Sequence, residues 1–291
     1  MTVVTADGRE LEVLTAGAED GFPLVYHSGS PSAAVPCGFI SDAADDAGLR
    51  LVTYSRPGYG GSTPRSRPEP RFADDVQDTV AVLDALGAGE FVTWGWSGGG
   101  PRALACAALL PDRCRAAATL AAVGPYDGDG LDWSAGMAEE NVTEYAAAAA
   151  GRVAYTELMT EYFLPMASVT AEEVGESLGG LLTPVDRAAV TDELAEYLAS
   201  AFRRSAAQGV VGVVDDGLAA VSPWGFDLAD IRVPVAVWQG REDAMVPFAH
   251  GEWLAAHVPG ARAHLLEDEG HLSLLGRLPE ILAELKDLAG L

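Results

Sequence analysis

A serine flanked by glycines is the residue of this chain best suited to act as a nucleophile. Residues 95–99 read Gly-Trp-Ser-Gly-Gly and centre on Ser97. The apolar run 91–94 before them predicts a buried strand, and the run 101–110 after them predicts a buried helix. A Gly-x-Ser-x-Gly segment between a strand and a helix forms a tight turn that exposes the serine hydroxyl. We therefore expect Ser97 to be a catalytic nucleophile.

A serine hydroxyl needs a base to take its proton, and that base needs an acid to orient it. In a parallel sheet such groups lie in loops at the carboxyl ends of strands. Asp243 follows a predicted strand and is the expected acid, with Glu242 and Asp127 as alternatives. His271 follows the last predicted strand and is the expected base. Along the chain Ser97, Asp243 and His271 follow the order nucleophile, acid, base, which is the order known for triads whose members lie at the ends of strands in such a sheet.

The chain has five histidines, and four of them fit the role of base less well than His271. His27 precedes Ser97, and His264 falls within a predicted strand. His250 and His257 lie seven residues apart on one predicted helix, which favours a surface position for both. None of these four follows the final strand.

Acyl transfer also requires two hydrogen-bond donors for the developing oxyanion. One expected donor is the backbone N–H of Gly98, the residue after the nucleophile. The second is expected in the loop after the strand that ends at His27, where Gly29 lets the backbone approach closely and Ser30 supplies an N–H. Gly98 and Ser30 are thus the predicted oxyanion hole.

These groups must be positioned by a sheet, and the chain alternates strand and helix patterns accordingly. A hairpin is predicted over 2–16, and strands then alternate with helices up to residue 126, which implies a mostly parallel sheet covered by helices. Residues 127–222 are helical, apart from an ambiguous apolar stretch at 210–214. The prediction is an α/β core of residues 1–126 and 223–291 with an inserted helical cap, 127–222.

The substrate pocket is expected between the cap and the carboxyl end of the sheet. Aromatic and methionine side chains beside the nucleophile and, for the most part, within the cap are the candidates for its wall. They are Trp96, Trp133, Met137, Tyr145, Met159, Phe163 and Trp224.

Composition narrows the classes of partner. The formal net charge of −25 disfavours nucleic acid and anionic membranes as partners but does not identify a substrate; the partner expected for the catalytic residues is a small-molecule substrate. Three cysteines with no metal or redox spacing suggest reduced thiols in a cytoplasmic protein. The N-terminus lacks the pattern of a signal peptide, and no apolar run is long enough to predict a transmembrane helix.

Five segments together resemble the α/β-hydrolase fold superfamily, in its capped serine-hydrolase branches of esterases and proline iminopeptidases. They read His-Ser-Gly-Ser-Pro, Arg-Pro-Gly-Tyr-Gly-Gly-Ser, Gly-Trp-Ser-Gly-Gly, Gly-Arg-Glu-Asp and Gly-His, in that order along the chain. The resemblance implies an eight-stranded, mostly parallel sheet with a helical cap, a Ser-Asp-His triad and no metal or other cofactor. Two positions depart from the family: Ser28 precedes Gly29 where a histidine is usual, and Ser55 precedes Arg56 where an aspartate is common.

The expected reaction is hydrolysis of a small, apolar carboxylic ester through an acyl-enzyme. An aminopeptidase like the proline iminopeptidases is one alternative, since Glu139, Glu140 and Glu144 of the cap could hold a substrate amine. Carbon–carbon hydrolases and lyases use the same triad and are a second alternative. A small-molecule receptor or an inactive protein on the same scaffold is the non-enzymatic alternative.

Overall fold

A computed structural model describes residues 1–67 and 69–291. Within them lie eight strands: β1 (Thr2–Val4), β2 (Glu10–Gly17), β3 (Phe22–His27), β4 (Leu49–Tyr54), β5 (Phe91–Trp96), β6 (Cys114–Leu120), β7 (Val235–Gly240) and β8 (Arg262–Leu266). The same residues form eleven α-helices: α1 (Gly38–Asp46), α2 (Asp75–Ala85), α3 (Gly100–Leu109), α4 (Glu139–Ala150), α5 (Arg152–Met166), α6 (Ala171–Ser177), α7 (Pro184–Ala189), α8 (Asp192–Ser205), α9 (Val211–Ala220), α10 (Phe248–His257) and α11 (Leu278–Ala289).

The strands form one sheet in the order β1-β2-β4-β3-β5-β6-β7-β8. The β1–β2 pair is the predicted hairpin, with Val3 opposite Leu11. β2 pairs with β4 antiparallel, and every later pairing is parallel. The prediction of an eight-stranded, mostly parallel sheet is therefore confirmed.

Alternation along the central strands divides the core between the two faces of the sheet. Leu24 and Tyr26 of β3 join the cluster that includes α1 and α11, whereas Val25 joins the cluster that includes α3 and α10. Side chains alternate between faces because the strand period is two residues. Each large apolar side chain buried in this way contributes roughly 1.5–3 kcal/mol, so the two clusters fix the sheet between its helices.

Helices α4 to α9 all lie between β6 and β7, in the segment predicted to be helical. The ambiguous stretch 210–214 falls mostly within α9, which packs against α5 so closely that a Cβ on Gly217 would meet the Tyr155 ring. The single helix predicted over 185–207 is divided, because the Thr191 side chain accepts the Leu194 N–H and caps a new helix, α8.

The helix predicted over 33–48 is also shorter than expected. It begins at Gly38, after an extended residue, Cys37, and after Pro36, which has no N–H to donate to a helix. Residues 31–37 are thereby left as a loop. This loop connects the predicted oxyanion segment to α1.

The inserted helices share a hydrophobic cluster with the sheet. Leu194, Leu198 and Phe202 of α8 belong to the cluster that contains Tyr26, and the Tyr26 and Tyr197 hydroxyls are 3.3 Å apart. The division of the chain into a core and a cap at 127 and 222 stays a prediction. Across 1–67 and 69–291, no helix has both the length and the apolar composition needed to span a bilayer.

Candidate active site

Ser97 lies at the sharp turn between β5 and the helical segment that leads into α3. Its φ of 54° is positive, which is uncommon for a residue other than glycine and marks the strained turn expected of an exposed nucleophile. Close packing of the backbone explains the flanking glycines. A Cβ on Gly95 would lie 2.2 Å from the Gly99 carbonyl oxygen, and a Cβ on Gly99 would lie 1.9 Å from the His27 carbonyl oxygen. The turn therefore excludes a side chain at both positions.

Asp243 and His271 form a buried hydrogen-bonded pair at the ends of β7 and β8. His271 Nδ1 is 2.8 Å from Asp243 Oδ2, and both side chains are almost completely buried. The carboxylate can only accept, so Nδ1 carries the shared proton and Nε2 is left as the acceptor of the neutral ring. Burial lowers the pKa of His271, but Asp243 outweighs that effect and raises the pKa above its usual range.

The Asp243 carboxylate is itself held in place by its own loop. Its Oδ1 accepts the backbone N–H groups of Met245 and Val246, each at 2.8 Å, and its Oδ2 also accepts the Gln239 side chain at 3.1 Å. The alternative acids Glu242 and Asp127 are both exposed. Of the three carboxylates considered from the sequence, Asp243 is the one that contacts His271.

Asp186 of α7 holds the loop that carries His271, and sequence reasoning missed it. The carboxylate is fully buried and accepts three consecutive backbone N–H groups, from His271 at 3.0 Å, Leu272 at 2.7 Å and Ser273 at 3.0 Å. An ionised carboxylate that accepts several backbone donors is well stabilised. No local pattern identified this residue, because its partners are about 85 positions away in the chain.

Two of the remaining histidines are buried, including one expected at the surface. His250 is completely buried: its Nδ1 accepts the Gly124 N–H at 2.9 Å and its Nε2 is 2.8 Å from the Trp133 carbonyl oxygen. The prediction that His250 lies at the surface is therefore wrong, because its ring is buried where it makes hydrogen bonds to the segment that follows β6. Burial lowers its pKa to about 4, and burial lowers the pKa of His27 to about 3, so both rings are neutral at pH 7.

His257 and His264 each stack on a tryptophan away from the candidate site. The His257 ring lies 3.7 Å from that of Trp253, and the His264 ring lies 3.8 Å from that of Trp238. His257 is exposed, as expected from the sequence, and His264 lies within β8.

The predicted oxyanion segment runs beside the nucleophile. A Cβ on Gly29 would lie 3.2 Å from Ser97 Cβ, and a Cβ on Gly98 would lie 2.8 Å from Ser30 Oγ. The two predicted donors, Ser30 and Gly98, are thus brought together at the turn. Ser55, at the position where the family commonly has aspartate, donates to Glu12 and accepts the Ala34 N–H at 2.9 Å, so its hydroxyl supports the same loop.

A cavity of about 150 Å³ opens above Ser97 and His271, both of which line it. Of the seven residues predicted to form its wall, Trp96 and Tyr145 do so. Trp96 also donates its indole N–H to the His271 carbonyl oxygen at 3.2 Å. Within the part of the chain described, the hydrogen bonds include none between Ser97 and His271; such contacts often form only in a substrate complex.

The other five predicted wall residues do not line this cavity, and the expectation for them is corrected. Their side chains fill hydrophobic clusters instead, because they pack behind residues that do line the cavity, such as Tyr155, Val246 and Phe72. Met159 and Phe163 pack with Tyr155, Trp133 and Met137 pack with Val246, and Trp224 packs with Phe72.

The apolar wall comes largely from helices α5 and α8, from the segment that follows α6 and from strand-end loops. The sequence contained one signal for it: apolar residues of α8 recur at helical spacing, with the buried stripe Leu194, Leu198, Ala201 and Phe202. Leu198, Ala201 and Phe202 of this stripe line the cavity, as do Met166, Leu178, Leu181, Met245 and Leu272. Over residues 1–67 and 69–291, no cluster of three or more His, Cys, Asp or Glu side chains is arranged to hold a metal ion.

Comparison with known proteins agrees with this architecture. The family model described as alpha/beta hydrolase fold matches residues 21–278. The chain is 28% identical over 247 residues to the pimeloyl-(acyl-carrier protein) methyl ester esterase of Aromatoleum aromaticum, covering 83% of this chain and 88% of that protein. It is 29% identical over 293 residues to the non-heme chloroperoxidase of Streptomyces lividans, covering 97% and 96%.

Solved structures show the same similarity. An alpha/beta hydrolase fold protein from Nakamurella multipartita is 27% identical, with a TM-score of 0.64 over 100% of this chain and 99% of that one. The family model covers β3 to β8 and the inserted helices, and this structure covers the whole chain. The chain therefore belongs to the α/β hydrolase fold family.

Proposed function

We propose that the protein is a serine hydrolase that cleaves a small, apolar carboxylic ester through an acyl-enzyme. The observation that carries the proposal is the buried Asp243–His271 pair, which opens onto the same cavity as Ser97. Membership of a family that includes hydrolases and an esterase relative supports the same class of reaction.

Acylation begins when Ser97 Oγ attacks the ester carbonyl carbon. His271 Nε2 takes the hydroxyl proton as the oxygen–carbon bond forms, and the carbonyl electron pair moves to the oxygen atom. Asp243 keeps the imidazole in the correct tautomer and stabilises the positive charge. The Gly98 and Ser30 backbone N–H groups then donate to the oxyanion.

Collapse of this intermediate expels the alcohol, which receives the proton from His271. A water molecule then attacks the acyl-enzyme, and His271 takes a proton from that water. The second tetrahedral intermediate releases the carboxylic acid, and the proton on His271 returns to Ser97 Oγ. No step in this sequence requires a cofactor, and the substrate we propose is a small molecule.

The dimensions of the cavity support a small substrate. An apolar protein cavity of about 150 Å³ accommodates a molecule of the size of benzene. The cavity beside Ser97 has about this volume, and its wall includes leucine, methionine and phenylalanine side chains. A short acyl or alkyl group would bury apolar surface there at roughly 25 cal/mol per Å².

The cap carboxylates give less support to an aminopeptidase. Glu139 and Glu140 are exposed, and Glu144 is the one of the three that lines the cavity. Glu144 accepts the Tyr155 hydroxyl at 2.6 Å, and burial raises the pKa of its carboxyl above the usual range. A carboxyl with a raised pKa is a poorer partner for a substrate ammonium group.

Labelling with a fluorophosphonate probe tests the nucleophile. The wild-type protein is expected to form one adduct, located at Ser97 by mass spectrometry, and Ser97→Ala is expected to form none. A folded wild-type protein that stays unlabelled would overturn the assignment as a serine hydrolase.

Turnover of model substrates tests the reaction. We expect p-nitrophenyl acetate and butyrate to be hydrolysed faster than the decanoate, because the small cavity excludes a long chain. Aminoacyl-naphthylamides serve as the comparison class. Faster hydrolysis of these amides than of any ester would favour the aminopeptidase. His271→Ala is the control, because it should abolish any activity that comes from the proposed active site.

A further inference from the structure

A buried carboxylate of the inserted helices lies beside the proposed oxyanion hole. Asp216 of α9 is 5% exposed and accepts hydrogen bonds from Arg56 Nη2 at 2.6 Å, from Arg102 Nη2 at 2.5 Å and from the Tyr59 hydroxyl at 3.0 Å. It also accepts the hydroxyl of Ser30. Both arginines are 2% exposed, so the cluster is almost completely shielded from water.

The arginines in turn hold the backbone on both sides of the oxyanion hole. Arg56 donates to the carbonyl oxygens of Ser28 and Gly29, each at 2.8 Å. Arg102 donates through Nη1 to the Gly98 carbonyl oxygen at 2.6 Å. One carboxylate therefore connects the oxyanion loop, the turn that carries the nucleophile and a helix of the cap.

The contact with Gly29 fixes the direction of a proposed oxyanion donor. The Gly29 carbonyl and the Ser30 N–H belong to one planar peptide unit, and they point in opposite directions when that unit is trans. The cis peptide bond of this loop is the next one, between Ser30 and Pro31. Because Arg56 holds the Gly29 oxygen, the Ser30 N–H points away from Arg56, and the positive charge of Arg56 polarises the same amide and strengthens it as a donor.

Arg56 needs a counter-ion to remain buried in this position. Within the described chain, its carboxylate partner is Asp216, whereas Arg102 is also paired with Asp75 at 2.5 Å. A buried arginine that loses its partner carries an uncompensated charge and tends to move toward water. Burial acts to raise the pKa of Asp216, but Arg102 and Arg56 outweigh it and lower the pKa well below the usual range, so the carboxylate stays charged.

We infer that Asp216 is a positioning residue, which holds Arg56 so that the Ser30 N–H faces the oxyanion and holds Arg102 against the turn that carries Gly98. This inference rests on the proposed function, since it assigns a role to a residue within the same site. It also makes the cap part of the catalytic machinery, because removing this one carboxylate loosens a loop of the core. Asp216 also lines the cavity, but its carboxylate is engaged by Arg56, Arg102 and the Ser30 hydroxyl, so its assigned role is to position the oxyanion loop and not to contact the substrate carbonyl.

Asp216→Asn is the variant that tests this role, and Asp215→Asn is its matched control. Asp215 is equally buried, but it pairs with Arg152 at 2.8 Å and lies 4.0 Å from Arg65, with no contact to the oxyanion loop in the described residues. Both substitutions remove one buried negative charge from adjacent positions of α9. Thermal unfolding of the two variants measures their structural cost.

We expect Asp216→Asn to lower kcat by about 10- to 100-fold and to change KM by less than about threefold. The donor stabilises an oxyanion that develops only in the transition state, so a misdirected donor slows the reaction while substrate binding stays nearly the same. A trifluoromethyl ketone provides a second readout. Ser97 Oγ adds to its carbonyl carbon, the carbonyl electron pair moves to oxygen, and His271 takes the serine proton, so the inhibitor places an oxyanion in the hole. Its affinity should fall by a similar factor, whereas a methyl ketone of the same chain, bound without addition, should keep its affinity within about twofold.

Unchanged kcat and inhibitor affinity in Asp216→Asn, or an equal loss in Asp215→Asn, would overturn the inference. If Asp216→Asn does not fold, Arg56→Lys replaces it: lysine keeps the charge but cannot donate to both carbonyl oxygens, and the same selective loss of kcat is expected. Wild-type kcat in a folded Arg56→Lys would then overturn it. A wild-type protein without Ser97-dependent activity would instead contradict the proposed function.

Discussion

The backbone N–H of His271 donates to the carboxylate of Asp186 at 3.0 Å, which joins the candidate base to a helix of the inserted segment. The same carboxylate accepts the next two N–H groups, so it fixes the start of the loop after β8. The position of the imidazole therefore depends on a residue of the inserted helices as well as on Asp243. This relationship leads to the first of four predictions.

Asp186→Asn should lower kcat by about tenfold, because an amide oxygen accepts fewer and weaker hydrogen bonds from the three N–H groups. The nearby charge of Asp186 also acts to raise the pKa of His271, so the acidic limb of the kcat/KM profile should move to lower pH. Asp192→Asn, a substitution in the exposed first turn of the next helix, is the control. An unaltered pH profile with full activity would argue against this coupling.

The pH dependence of the wild-type enzyme follows from the pKa of its base. His271 must be neutral to accept a proton, and Asp243 raises its pKa, so kcat/KM should rise with pH through a midpoint above about 6.5. Asp243→Asn removes that effect, and the midpoint should fall while kcat drops by about 10³-fold or more.

Glu242→Gln and Asp127→Asn are the controls for this prediction, since both carboxylates are exposed. Each should keep nearly wild-type kcat and the wild-type midpoint. Full activity in Asp243→Asn, together with a loss of activity in either control variant, would show that a carboxylate other than Asp243 is the catalytic acid.

Selectivity for chain length should respond to α8. Ala201 and Leu198 line the cavity, so Ala201→Phe should reduce its volume and raise KM for butyrate relative to acetate esters, whereas Leu198→Ala should extend activity to longer chains. Met159→Leu is the control, because Met159 lies in a separate cluster and this exchange conserves volume. The measurement is kcat/KM across a p-nitrophenyl ester series. Identical profiles in all three variants would rule out this wall as the determinant of selectivity.

Acid stability should depend on His250. Its folded pKa of about 4 lies below the usual value of about 6.5, so the unfolded chain binds the proton first as the pH falls. The free energy of unfolding should therefore decrease between about pH 6.5 and pH 4, with this histidine contributing about 1.4 kcal/mol per pH unit.

His250→Gln keeps a donor and an acceptor but does not titrate, so its stability should fall less steeply in this range. His257→Gln, at an exposed site on the same helix, should retain the wild-type slope. Urea unfolding at pH 7, 5.5 and 4.5 measures both. Parallel slopes for His250→Gln and the wild type would contradict the assignment.

The sequence by itself determined the sheet and the positions of the chemistry along it. The turn at Ser97 was predictable because its requirement for small neighbours is local: Gly95 and Gly99 meet backbone atoms directly. The placement of Asp243 and His271 after successive strands was predictable because residues at the carboxyl ends of parallel strands converge at one edge. The helix boundaries within 185–207 were not predictable, since a single N-cap residue, Thr191, decided where α8 begins.

Only the tertiary structure decided which distant side chains support those groups. Asp186 lies 85 positions from His271, and Asp216 lies 160 positions from Arg56, so neither pairing leaves a periodic or local pattern in the sequence. The pocket was undetermined for the same reason: an apolar residue such as Met159 satisfies a helix core and a cavity wall equally well. Whether a side chain is buried, and which way it points, depends on how the helices and strands pack. That packing places Tyr145 in the cavity wall and Trp133 in a hydrophobic cluster.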